Sequence, residues 1–160
     1  MLKVLIFGYG NPDRQDDGVS WHILRQVAEH IGDLPLPASC DEEFANAKEN
    51  VTFLYDLQLT PDKADYIAGF DRVIFVDAHT GAVPEELHDE VLTAQYQKSP
   101  FTHHMTPQTL LSFAQSLYGA ATTGRLISVR GYEFGFSNEL SPRTKELAAE
   151  AAGLILKYLE

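Results

Sequence analysis

The chain has 160 residues, of which 44% are hydrophobic and 22% are charged, and this balance excludes a disordered or fibrous protein. Its formal net charge of −11 argues against partners such as nucleic acids or anionic membranes, which a negative field repels. A single cysteine, Cys40, excludes an internal disulfide framework and a zinc site built from several cysteines. We assign Cys40 no function. The six histidines and 23 acidic residues leave a metal site of imidazoles and carboxylates open.

The first 31 residues carry the pattern of a strand, a tight loop and a helix. A continuous apolar run at residues 4–7 ends at a glycine, which predicts a strand that is covered on both faces. From residue 19 to residue 31, apolar side chains recur at spacings of three and four, which predicts an amphipathic helix. Asp16 or Asp17 is expected to cap that helix.

The rest of the chain alternates strand and helix patterns. Four more strands are predicted at residues 51–57, 73–76, 87–94 and 126–129, the third of them an edge strand. Three helices are predicted where a hydroxyl residue precedes a proline, at Thr60-Pro61, Thr106-Pro107 and Ser141-Pro142.

This order of elements predicts the fold class. We expect a single three-layer α/β/α domain over residues 1–160, with a mostly parallel, twisted sheet of about five strands and helices on both faces. Residues 33–50 are polar and aperiodic, and they are interpreted as a surface excursion with at most a short helical turn.

Three polar loops are predicted at the carboxyl ends of the strands, where open α/β sheets bind their ligands. They carry Asp16 and Asp17, then Asp77, and finally His103 and His104. Two carboxylates and an imidazole at one sheet edge would suit a divalent metal, with a position left for water or substrate. Each residue also has a structural alternative, since acidic residues begin helices and polar residues are common in loops.

A nucleotide site is disfavoured. Gly8 and Gly10 match the start of a dinucleotide-binding fingerprint, but Asp13 stands where its third glycine is expected. The acidic pair that follows would repel a pyrophosphate at the start of the helix. No serine or cysteine lies in a convincing catalytic triad.

The motifs resemble those of the [NiFe]-hydrogenase maturation proteases. The segment VLIFGYGN (residues 4–11), followed by DDGV (residues 16–19), is similar to their opening: an apolar strand, G-x-G-N, four variable residues and D-[ED]-G. The strand that ends in Asp77-Ala78 resembles their second motif, and His103 keeps the spacing of their third, with His104 as the alternative. Residues 128–136 resemble the strand and loop before the last helix. Asp17 replaces the glutamate of many relatives.

The resemblance implies a function. Such proteases remove a C-terminal extension from the large subunit of a [NiFe] hydrogenase after nickel has been inserted. Asp17, Asp77 and His103 would hold nickel and carry the catalysis, with Asp17 or Asp77 as the general base. The nickel would be carried by the substrate, with no resident metal and no organic cofactor. The loop around the site would be shaped by Gly8, Gly10, Asn11, Asp16 and Gly18.

The expected partner is therefore the large-subunit precursor, with no nucleic acid and no membrane. We expect the protein to be a monomer. We expect it in the cytoplasm, because the apolar run at residues 4–7 is too short for a signal peptide. Two alternatives stay open at this point. One is a metal-dependent hydrolase of a small molecule, and the other is a nickel-binding assembly factor without catalysis.

Overall fold

The computed structural model describes residues 1–32, 36–37, 43–93 and 105–160. Within these residues, six strands form one sheet in the order β2-β3-β1-β4-β6-β5. The four inner strands run parallel, while β2 and β5 pair antiparallel at the two edges. The strands are β1 (Val4–Tyr9), β2 (Phe44–Lys48), β3 (Val51–Asp56), β4 (Arg72–His79), β5 (Leu87–Leu92) and β6 (Thr123–Arg130).

Helices cover both faces of the sheet, which confirms the predicted three-layer α/β/α fold class. They are α1 (Val19–Ile31), α2 (Lys63–Ile67), α3 (Pro107–Tyr118) and α4 (Pro142–Tyr158). The side chains of β1 alternate between the two layers: Val4 and Ile6 pack with α1 and α4, whereas Leu5 and Phe7 pack with α2 and α3. Both faces of β1 are therefore buried, and each such side chain contributes about 1.5 to 3 kcal/mol.

Among the described residues the sheet has six strands, one more than the five predicted by the sequence pattern. The additional strand, β2, lies inside the segment that we interpreted as a surface excursion. Only alternate residues of β2 are covered, and Phe44 stacks on Tyr55 with ring centroids 6.2 Å apart. Its other residues are alanine, asparagine and lysine, which are weak strand formers, so the sequence carries little strand signal here.

Of two predicted helix starts, that of α3 is confirmed and that of α2 lies later in the sequence than predicted. Thr106 caps α3 as expected, since its Oγ1 accepts a hydrogen bond from the Thr109 N–H at 3.1 Å. The second helix, α2, begins only at Lys63, two residues beyond the predicted proline.

The expected acidic cap of α1 is wrong. A 3-10 turn (Gln15–Gly18) precedes this helix, and its N-cap residue is Gly18, which has no side chain to accept a hydrogen bond. Asp16 and Asp17 both lie within the 3-10 turn, three and two positions before the first residue of the helix. Their carboxylates are therefore available for other contacts.

Two of the residues singled out in the sequence, His103 and His104, lie outside the described residues, as does Cys40. Among the helices that the structure describes, none combines the length and the apolar character needed to cross a membrane.

Candidate active site

A cavity of about 410 Å³ opens at the carboxyl edge of the sheet. Asp17 and Asp77 both line it, although they are sixty residues apart in the sequence. They meet there because β1 and β4 are neighbouring parallel strands, so the loop after one strand lies beside the end of the other. The remaining wall is formed by Tyr9, Gly10 and residues 57–59 and 105–107.

The glycines of the first motif allow its loop to fold tightly. Gly10 has a φ of +135°, and a Cβ there would lie 2.2 Å from the backbone oxygen of Asp17. A Cβ on Gly18 would lie 2.4 Å from the Cα of Pro12. Side chains at these two positions would therefore push the loop apart and move Asp17.

Asp17 is half-buried, and the loop backbone holds it in place. The N–H of Asn11 donates to its Oδ2 at 2.9 Å, while the Oδ1 of Asn11 accepts from the N–H of Asp13 at 3.0 Å. Asn11 thus connects the first part of the loop, which contains Asp13, to the 3-10 turn that contains Asp17. Gly8 lets α1 approach β1 closely, since a Cβ there would lie 2.9 Å from Leu24.

Asp77 lies near the end of β4, at the position that follows the buried apolar part of the strand. Its Oδ1 accepts the N–H of Ala78 at 2.7 Å, and the hydroxyl of Tyr9 donates to the same carboxylate. Burial raises the pKa of Asp77 to about 7; these two hydrogen bonds oppose the rise, and the negative charge of Asp17 adds to it. A carboxyl with such a pKa can exchange protons near neutral pH.

Tyr9 connects the first motif to the second. Burial raises the pKa of the Tyr9 hydroxyl well above its usual value, and the charge of Asp77 raises it further. The phenol therefore stays protonated and acts as a hydrogen-bond donor toward Asp77. Its backbone oxygen accepts the Ser20 hydroxyl at 2.8 Å, which ties the end of β1 to α1.

Asp16, the neighbour of Asp17, is fully buried and has a different role. Its carboxylate accepts hydrogen bonds from the backbone N–H groups of Tyr132, Glu133 and Ser141 at 2.8 to 2.9 Å. The hydroxyls of Ser141 and Thr144 donate to it as well. Burial alone would raise the pKa of Asp16, but the hydrogen bonds from Ser141 and the other donors outweigh burial and lower it.

Sequence reasoning assigned Asp16 to the site loop but missed these partners. They lie 116 to 128 positions away, at the start of α4 and in the loop before it. The hydroxyl of Ser141, which we expected to cap α4, donates to Asp16 instead. The only sequence signal for this contact was that both segments resemble motifs of the same family.

Comparisons with solved structures place this geometry in a known fold. No protein-family profile and no curated protein matches the sequence. HycI, a [NiFe] hydrogenase maturation protease from Thermococcus kodakarensis KOD1, matches with a TM-score of 0.66 and 22% identity over 98% of this chain and 91% of its own. The hydrogenase maturating endopeptidase HybD from E. coli matches with a TM-score of 0.68 and 16% identity over 99% and 92%.

A third structure, a hydrogenase 2 maturation peptidase from Thaumarchaeota archaeon SCGC_AB-539-E09, has a TM-score of 0.60 and 22% identity over 98% of this chain and 97% of its own. The chain has the fold of the hydrogenase maturation proteases. In this maturation protease fold, the two segments that resembled the first and second motifs come together at one cavity.

The third predicted ligand of the site is not placed, because His103 and its alternative His104 are outside the described residues. Within the described part of the chain, no three histidine, cysteine or acidic side chains cluster as a metal site would require. The metal-ligand roles of Asp17, Asp77 and His103 therefore stay predictions.

His79, two residues after Asp77, forms hydrogen bonds within the protein through its imidazole ring. Its Nδ1 lies 2.6 Å from the Ser128 hydroxyl, and its Nε2 lies 2.7 Å from the backbone oxygen of Glu85. Burial lowers the pKa of His79, so the ring is neutral at pH 7. Both ring nitrogens are engaged, and His79 is accordingly a poor candidate for the missing ligand.

Proposed function

We propose that this protein is an endopeptidase that removes the C-terminal extension of a [NiFe]-hydrogenase large-subunit precursor after nickel insertion. The observation that carries the proposal is the pair Asp17 and Asp77, which line one cavity at the carboxyl edge of a maturation protease fold. Each residue also belongs to a sequence motif that resembles a motif of those proteases.

In this proposal, the nickel belongs to the substrate. Thiolates of the precursor hold the ion, and Asp17, Asp77 and His103 contribute oxygen and imidazole ligands, with His104 as the alternative to His103. A precursor without nickel offers these residues nothing to bind. The enzyme then discriminates between the two precursor states through their difference in affinity, and premature cleavage is avoided.

For the cleavage itself, we assign the general base to Asp77. Without nickel, the pKa of Asp77 is about 7, so this carboxyl exchanges protons near neutral pH. In the complex, the Asp77 oxygen that does not bind nickel accepts a proton from the attacking water. The water oxygen bonds to the carbonyl carbon, the C–N bond breaks, and the proton leaves with the amine of the released peptide. Asp17, which lines the same cavity, orients the nickel-loaded segment.

Mass spectrometry of a purified nickel-loaded precursor, before and after incubation with the protein, tests the proposal. We expect the precursor to lose the mass of its C-terminal extension. The variant His103→Ala should abolish this loss, whereas the control His30→Ala, which alters an exposed residue of α1, should preserve it.

The two alternatives give different results in the same experiment. A precursor that binds tightly to the wild-type protein but stays intact would indicate an assembly factor and contradict an endopeptidase. An intact, unbound precursor, together with stoichiometric zinc or manganese that survives dialysis of the enzyme, would indicate a small-molecule hydrolase.

A further inference from the structure

The peptide group between Gly10 and Asn11 connects a buried tyrosine to Asp17. Its C=O accepts a hydrogen bond from the hydroxyl of Tyr55 at 2.8 Å, and its N–H donates to the Oδ2 of Asp17 at 2.9 Å. This peptide bond is trans, so the group is planar and its C=O and N–H point in opposite directions. The direction of the C=O therefore sets the direction of the N–H that holds Asp17.

Gly10 leaves this peptide group free to rotate unless another contact holds it. The φ of Gly10, +135°, lies in a region that glycine adopts readily and other residues do not. The N–H of Gly10 donates to the backbone oxygen of Asp56 at 3.2 Å, which holds the preceding peptide group against β3. The plane between Gly10 and Asn11 can still turn about the single bonds on either side of it. The hydrogen bond from Tyr55 opposes that rotation.

The Tyr55 side chain is itself fixed by its surroundings. It is fully buried, and its ring centroid lies 5.6 Å from that of Trp21, edge to face, and 6.2 Å from that of Phe44, stacked. Gly8 pairs with Tyr55 in the register of β1 and β3, and a Cβ on Gly8 would lie 3.1 Å from the Tyr55 ring. The absence of a side chain at Gly8 thus leaves room for the ring. Packing of this kind holds a side chain in one rotamer, so the hydroxyl is delivered to one place.

Tyr55 acts on the cavity from behind its wall. Gly10 and Asp17 line the cavity, whereas Tyr55 belongs to the apolar cluster that packs between the sheet and the helices α1 and α4. Any effect of Tyr55 on a bound substrate must therefore pass through the loop that contains Gly10 and Asn11.

We propose that Tyr55 is a positioning residue for Asp17. Its hydroxyl fixes the plane of the Gly10–Asn11 peptide group, so that the Asn11 N–H meets the Asp17 carboxylate at the cavity. Groups that bind a substrate need to be held within about 0.5 Å of their productive position. Without the hydroxyl, the plane can rotate and turn its carbonyl oxygen toward the carboxylate, which repels it. This inference rests on the proposed function, because that function gives Asp17 its role in binding the nickel-loaded precursor.

Amide hydrogen exchange followed by NMR in Tyr55→Phe tests the hydrogen-bond part of the inference. This substitution removes the hydroxyl and keeps the buried ring. We expect exchange of the Asn11 N–H to accelerate about tenfold or more, because its bond to Asp17 opens locally. The control amide is that of Thr109, which also donates to a side-chain oxygen, at 3.1 Å. Its exchange should stay within about twofold of the wild type.

Processing of the nickel-loaded precursor gives the second measurement. We expect Tyr55→Phe to lower kcat/KM about tenfold, because a displaced Asp17 no longer meets the substrate in its productive position. The matched control variant is Tyr118→Phe, which removes the hydroxyl of an exposed tyrosine at the end of α3. It should leave both the exchange of the Asn11 N–H and kcat/KM unchanged.

The outcomes separate the two proposals. Unchanged exchange of the Asn11 N–H in Tyr55→Phe, or equal acceleration at Asn11 and Thr109, would overturn the positioning role. Faster exchange at Asn11 with wild-type kcat/KM would overturn it as well, since the orientation of the peptide group would then not matter to the reaction. Selective acceleration at Asn11, without any cleavage by the wild type, would support the control of the Asp17 hydrogen bond by Tyr55 and contradict the endopeptidase.

Discussion

Asp16 and Asp17 are adjacent in the sequence, yet the structure uses them in opposite ways. Asp16 is fully buried, and its carboxylate accepts hydrogen bonds from two segments near the start of α4. Asp17 is half-buried, accepts the N–H of Asn11 and lines the cavity that Asp77 also lines. The hydrogen-bonding capacity of the Asp16 carboxylate is thus filled by donors of the protein itself, whereas the Asp17 carboxylate faces the cavity.

The difference shows how an acidic pair can serve structure and function together. Because Asp16 fixes the 3-10 turn against the distant loop, the neighbouring Asp17 is held in position without many contacts of its own. A carboxylate that binds a substrate cannot also be saturated by its own chain. The comparison therefore predicts that the two residues respond differently to the same substitution.

The largest effect is expected for Asp17→Asn on precursor processing. Loss of the charge that faces the cavity should reduce cleavage at least about a hundredfold, in line with the removal of other catalytic side chains. The free energy of unfolding should stay within about 0.5 kcal/mol, because an asparagine oxygen can still accept the Asn11 N–H. Cleavage measured by mass spectrometry and urea unfolding check the two parts. Glu29→Gln, an exposed carboxylate near the end of α1, is the control.

Asp16→Asn should have the opposite profile. The amide has one acceptor oxygen in place of two, so several of the donors around it lose their partner, at a cost of about 2 to 4 kcal/mol. Urea unfolding at pH 7 measures this loss directly. A variant as stable as the wild type would show that the hydrogen bonds of Asp16 do not fix the 3-10 turn against the distant loop.

Asp77→Asn should make the protein more stable at alkaline pH. The pKa of Asp77 is raised to about 7 in the folded protein, so ionisation costs folding free energy as the pH rises from about 4 to 7. Asparagine carries no such cost, and a rise in pKa from 3.8 to about 7 corresponds to a gain on the order of 4 kcal/mol above pH 7 that disappears near pH 4. Thermal unfolding at pH 4.5 and pH 8 checks this, and an equal difference at both values would contradict it.

The smallest effect is expected for Tyr9→Phe. Without the hydroxyl donor, the ionised form of Asp77 loses a hydrogen bond, and its pKa rises further. The acidic limb of the pH–rate profile for processing should then shift to higher pH, so that activity falls several-fold at pH 6 and little at pH 8.5. A uniform decrease at every pH would argue that Tyr9 has only a packing role.

The sequence predicted the inner part of the fold well because its signals there are local. Continuous apolar runs identify β1, β4 and β6, and the threonine-proline pair at Thr106 identifies the start of α3. Strand β2 was missed because only one of its faces is covered. The patterns of a short edge strand and of a polar loop differ little.

The candidate site was predictable as a set of residues but not as an arrangement. The resemblance to the maturation proteases assigned Asp17 and Asp77 to the site, and the structure places both at one cavity. Spacing alone could not separate Asp16 from Asp17, because the donors that bind Asp16 lie more than a hundred positions away. The same distance hid the hydrogen bonds between the 3-10 turn and the loop before α4, from Gln15 to Ser137 and from Asp16 to Glu133. His103 stays a prediction, since it is outside the described residues.

The central claim is that the two carboxylates of the cavity serve nickel-dependent proteolysis. The most direct measurement compares one large-subunit precursor in its nickel-loaded and nickel-free forms, each incubated with the wild-type protein and followed by intact-protein mass spectrometry. We predict loss of the C-terminal extension from the nickel-loaded form alone. Equal cleavage of both forms would contradict nickel recognition, and an uncut nickel-loaded precursor would contradict the endopeptidase itself.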